Sequence, residues 1–136
     1  MASKRVCPHA ITLYNYLGET DGKARYARTL ITNVHVSASG GIAAGDVSRD
    51  GVRVYVFDDV SECEKLYLPC EKWAAGNDHE RYWTVHTDGS DYIALGDMPD
   101  SDDGTLPTQH TLYKINSISR RQIGSRRVWH WRIEAQ

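Results

Sequence analysis

A period of two constrains this chain more than any other feature. Val52 to Phe57 reads V-R-V-Y-V-F, so Val52, Val54 and Val56 point one way and Arg53, Tyr55 and Phe57 the other. A helix would scatter these valines around its axis, whereas a strand gathers them on one face. The same period recurs in Ala10 to Leu17 (A-I-T-L-Y-N-Y-L), which sets Ile11, Leu13 and Asn15 against Thr12, Tyr14 and Tyr16. Gly18 and the pair Asp21-Gly22 then supply turn chemistry, and an Asp-Gly pair between alternating segments predicts a tight hairpin. In its return arm, Arg25 to Val36, strict alternation groups Leu30, Thr32, Val34 and Val36 against Ile31, Asn33 and His35.

Further short strands are expected at Arg81 to His86, Asp91 to Leu95, Thr111 to Ser119 and Arg127 to Ile133, each bounded by turn residues. The one short helix expected starts at Pro69, ends at Gly76 and seats Trp73 against an end of the β-structure. Ser37 to Asp46 (S-A-S-G-G-I-A-A-G-D) reads as a mobile loop or a broken edge strand, with Gly40, Gly41 and Gly45 as its flexible positions. The pattern predicts an all-β protein in one domain, residues 1–136. Its architecture is a β-sandwich or small β-barrel of seven to eight strands with one short helix. Val54, Val56, Trp83, Ile93, Ile115, Ile118 and Trp129 are expected to carry most of its core.

With 40% hydrophobic and 25% charged residues, the 136-residue chain can bury one core without disulfides. Its net charge of −2 excludes a globally basic nucleic-acid binder while leaving room for a local basic patch. No apolar run approaches the ~20 residues of a membrane span, and no apolar signal region follows Lys4-Arg5. Cys7, Cys63 and Cys70 are an odd set without Cys-x-x-Cys spacing, which predicts reduced thiols in a cytosolic setting.

Chemistry-bearing motifs are few. The six histidines show no metal-ligand spacing, and neither a nucleophile elbow nor a phosphate loop is present, so no catalytic residue, metal or cofactor is expected. Asp97, Asp100, Asp102 and Asp103 crowd one segment. Counting twelve positions from Asp100 reaches Thr111, not the glutamate a calcium-binding EF-hand loop needs, and a solvated acidic loop is the better reading. Arg120, Arg121, Arg126 and Arg127 crowd a basic turn beside Trp129 and Trp131, which are expected to share one strand face opposite His130. Projected from different edges, the acidic loop and basic turn would let copies meet head to tail, and such contacts close into rings.

Several stretches in order resemble a family of small phage structural proteins usually labelled minor capsid protein. These are similar in setting to the head-completion and head-closure proteins of tailed phages. The stretches are I-T-L-Y-N at Ile11, R-T-L-I-T-N-V-H-V at Arg28, V-R-V-Y-V-F at Val52 and Y-L-P-C-E-K-W at Tyr67. Y-W-T-V at Tyr82, D-Y-I-A-L-G-D at Asp91, I-N-S-I-S at Ile115 and V-W-H-W-R-I at Val128 follow. The turn from Arg120 to Arg127 is richer in arginine than such relatives carry. The resemblance implies a virion protein of the neck, made in the host bacterial cytoplasm. It would form rings of its own copies between the portal or adaptor protein and the tail proteins, touching packaged DNA only non-specifically and no membrane. A tail terminator, a capsid decoration or a monomeric barrel binding single-stranded nucleic acid through its C-terminal hairpin would share these physical features.

Overall fold

The computed structural model describes residues 8–39, 51–76, 78–99, 104–107 and 110–136. Strands β1 (His9–Thr20) and β2 (Lys23–Ser39) form the expected hairpin. Asp21 and Gly22 both take positive φ, 54° and 76°, as its two-residue turn requires. Then come β3 (Gly51–Phe57), two short pieces β4 (Glu62–Cys63) and β5 (Leu66–Tyr67), and helix α1 (Cys70–Ala75). Strands β6 (Tyr82–Trp83), β7 (Tyr92–Leu95), β8 (Leu112–Arg121) and β9 (His130–Ala135) complete the fold, with a 3-10 turn at Arg126–Val128 before the last.

The main sheet runs β1-β7-β8-β9-β3-β2, and β2 pairs back to β1, so the sheet closes on itself as an antiparallel barrel. Of the two architectures compatible with the sequence, the barrel is the one formed. Strand β2 makes closure possible. Its first part pairs with β1 along one edge, and on the opposite edge residues 31–32 meet β4 and residues 35–39 meet β3. Ser37 to Ser39, expected in a loop or a broken edge strand, extend β2. Ile11, Leu13, Ile31, Val34, Val54, Ile93, Ile115 and Ile133 fill the interior with no exposed surface.

Two bulges decide which residues reach that interior. Strict alternation sets Ile31 and Val34 on opposite faces, yet both are fully buried. Asn33 takes φ 54°, and the register with β1 jumps from His9↔Val34 to Ala10↔Thr32, leaving Asn33 as the extra residue. An extra residue swaps the faces beyond it, so the grouping of Leu30 and Thr32 with Val34 is corrected. Ser61 fixes the kink: its hydroxyl donates to the Asn33 carbonyl at 2.7 Å and accepts from the Phe57 amide at 2.9 Å. On β8 the register skips Asn116 between Ile115 and Ser117, which turns Ile115 and Ile118 to the same core. Because a left-handed residue with a Cβ costs about 1–2 kcal/mol, Asn33→Ala is expected to lower unfolding stability by about 1 kcal/mol. Asn33→Gly should hold it near wild type, and urea midpoints would check the pair.

Helix α1 occupies the expected span, with Pro69 before it and the Gly76 amide bonded to the Lys72 carbonyl at 3.1 Å. Of the expected core residues, Trp129 is misplaced. It precedes β9 and stays half-exposed, because the 3-10 turn delays the strand, and Trp131 packs against the core instead. Only Tyr82 and Trp83 of the expected strand from Arg81 to His86 are extended in a ladder. Among the described residues no helix is long and apolar enough to cross a membrane.

Candidate interaction surfaces

Strands β8 and β9 carry the basic turn at their tip. Arg120 does not project freely: its guanidinium makes two bonds to the Asp58 carboxylate, at 2.7 and 2.5 Å, and lies 4.9 Å over the Trp131 ring. The Asp58 bond is the main reason its pKa rises above the ordinary arginine value. Trp131 in turn packs 4.3 Å from Tyr67, whose phenol is pushed up chiefly by burial. Arg120 therefore clamps the hairpin to the loop after β3. Arg121 stands opposite His130 in the ladder. Arg126 lies 5.4 Å over Trp129, whose indole N–H donates to the Gly124 carbonyl at 3.2 Å. Arg126 and Arg127 are exposed, and Ile123 at the tip is 77% exposed.

Asp97 forms a 2.6 Å ion pair with Arg28 of β2, and Arg28 Nε donates to the Met98 carbonyl at 2.8 Å. Beyond the acidic run, the Gly104 carbonyl accepts from the Tyr26 amide of β2 at 2.8 Å. Both described flanks of this run are thus tied to β2. Asp100, Asp102 and Asp103 themselves lie outside the described residues, as do Gly40, Gly41 and Gly45. Around the closed barrel β7 separates β1 from β8, and β3 separates β2 from β9. The acidic anchor points and the basic hairpin consequently sit on opposite sides of the barrel.

Two arrangements escaped the sequence reading. On the outer face, His9, His35, Tyr55, Phe57 and His130 form a continuous row of rings. The centroid steps are 6.0 Å from His9 to His35, 5.7 Å to Tyr55 and 5.4 Å to His130, with Phe57 5.1 Å from His130. Arg53 and Arg132 flank the row and share one carboxylate, Glu134, at 3.2 and 3.6 Å. The alternation in V-R-V-Y-V-F places Tyr55 and Phe57 outward, but their neighbours come from strands far away in sequence.

The second arrangement is a buried polar node. Asp91 has no exposed surface, and its carboxylate accepts from Asn15 Nδ2 at 2.7 Å, the Tyr16 amide at 2.8 Å and the His86 amide at 2.7 Å. His86 Nδ1 lies 3.0 Å from the same carboxylate. Asn15 also bonds Thr84 in both directions, its amide donating to the Thr84 carbonyl at 2.7 Å. On the other side of His86, Trp73 meets its ring edge-on at 5.5 Å and stacks on His79 at 4.0 Å. These rings line a shallow cleft of about 230 Å³ with Tyr16, Leu17 and Gly18. The bonds from Asn15 and the Tyr16 amide tie β1 to the segment from Thr84 to Asp91, and the amide and imidazole of His86 hold the carboxylate from within that segment. Cys63 and Cys70 are free thiols, and burial pushes the Cys63 thiol up. Among the described residues, no group of three or more His, Cys, Asp or Glu side chains is placed to hold a metal ion.

Fold and surfaces together define a small closed antiparallel barrel whose basic hairpin lies across from the tethers at Asp97 and Gly104. The chain belongs to a family of unknown function, DUF6751, whose model it matches over residues 6–136. No curated protein and no solved structure matches it.

Proposed function

We propose that this protein is a structural component of the phage virion, a ring subunit of the head–tail connector. It closes the head after DNA packaging and docks the tail, and it performs no catalytic step. Its partners are further copies of itself, the portal or adaptor protein on one side and tail proteins on the other. The resemblance of its ordered stretches to phage minor capsid proteins suggests the setting. One observation carries the mechanism: the tethers of the acidic run on β2 and the basic tip of β8–β9 lie on opposite sides of one barrel. A subunit with unlike patches on opposed sides makes heterologous contacts, which close into a ring when the rotation allows. Complementary charge then sets register and partner choice.

Solution mass, measured alone and with the portal or adaptor product of a neighbouring gene, tests this reading. The expected result is assembly into a ring that Arg126→Glu with Arg127→Glu weakens at least tenfold, since like charges facing each other cost several kcal/mol. Reversing Asp102 and Asp103 to arginine in the same chain should restore it. Assembly indifferent to both sets of reversals would overturn the proposal.

A further inference from the structure

We infer that the outer face of β2, β3 and β9 is a binding site for single-stranded nucleic acid. The outer face of an antiparallel sheet is ordinarily polar, because it meets water. Here the outward positions of three adjacent strands hold His35, Tyr55, Phe57 and His130, all partly exposed. The ladder sets them side by side, with His35 opposite Tyr55 and Phe57 opposite His130. Tyr55 and Phe57 lie nearly parallel, 22° apart, with centroids separated by 6.4 Å. A floor of rings on a rigid sheet is a stacking platform that accepts any base, since every base has a π-face.

Charge selects the occupant. Arg53 and Arg132 share the single carboxylate of Glu134, so the fringe of the platform carries an excess of positive charge. Phosphates suit that fringe while bases suit the floor. A duplex hides its base faces in its own stack, which leaves a single strand as the ligand. A second copy seated face to face would set its own arginines against these, which works against a self-contact. The site does not include the exposed tip residues Ile123, Arg126 and Arg127, although His130 follows that turn directly, and the inference does not depend on ring assembly.

Anisotropy of labelled oligothymidylate and oligouridylate, titrated with the whole chain over a salt series, tests the assignment. Binding is expected at low salt and should weaken steeply as salt rises. Tyr55→Leu and Phe57→Leu should each reduce affinity roughly tenfold, the loss of one stacked base. Arg126→Ala with Arg127→Ala should reduce it less. Either oligonucleotide binding in this way supports the site, and the ratio of the two identifies the preferred sugar. Because a leucine variant could fail to fold, amide shifts of the wild-type protein provide a second readout, expected at His35, Tyr55 and His130. No binding at low salt, leucine variants that bind like wild type, or shifts confined to the hairpin tip would overturn the inference. So would a dimer that Phe57→Lys converts to monomer, which would give the face to a second copy.

Discussion

Asp91→Ala is expected to destabilise the protein by about 3–5 kcal/mol, the usual cost of removing one partner from a buried hydrogen-bonded charge site. The size follows from what the carboxylate holds. It has no exposed surface, and it accepts from Asn15, from the backbone amides of Tyr16 and His86, and faces the His86 ring. Alanine leaves these donors without their acceptor at a carboxylate site that has no exposed surface, and each stranded buried group costs about 1–3 kcal/mol. Domains of this size are stable by only about 5–15 kcal/mol, so the variant should retain a fraction of wild-type stability. Urea unfolding followed by tryptophan fluorescence would measure the shift. Asp91→Asn should be milder, because its carbonyl still accepts while its amide meets donors. A midpoint for Asp91→Ala within experimental error of wild type would show that the node does not hold β1 to the segment before β7.

Ile115→Ala should cost about 2–5 kcal/mol, the range for truncating a fully buried isoleucine. Ile115 has no exposed surface, whereas Ile118 is only partly buried against the same core. The comparison is informative because both occupy β8 three residues apart, a spacing that unbroken alternation would split between faces. With the Asn116 bulge in place, Ile118→Ala should destabilise in the same direction by less. Were Ile118→Ala neutral, the bulge would not be turning it to the core.

Much of the fold was legible because local chemistry and tertiary structure agree. Asp21-Gly22 required a two-residue turn, the valines of β3 required a buried face, and Pro69 and Gly76 bracketed α1. The bulges were not legible. Whether Asn33 is a paired residue or an extra one depends on where β1 lies across from it and on Ser61 bracing its carbonyl, and neither is local. Asp91 was hidden for a related reason. At the head of the strand expected from Asp91 to Leu95 it looks like one more polar residue beside a turn, while its partner Asn15 stands 76 positions away. Part of the charge reading was legible as composition only: four arginines crowd one turn, but their sequence does not single out Arg120 as the one spent on Asp58. Trp131 packs against the core and Trp129 does not because a 3-10 turn separates the latter from the strand, a shift of one or two residues that pattern alone does not resolve.

Closure of the barrel also orders events in time. Strand β9 is the wedge between β8 and β3, and it contributes Ile133 and Ala135 to the interior. Until β9 leaves the ribosome, β3 and β8 are open edges with exposed apolar faces, the state most prone to pair with other chains. The β1–β2 hairpin needs only its own turn and can form early, whereas closure waits on contacts between distant parts of the chain, which form slowly. The barrel is thus most vulnerable to misassembly just before β9 takes its place between β8 and β3.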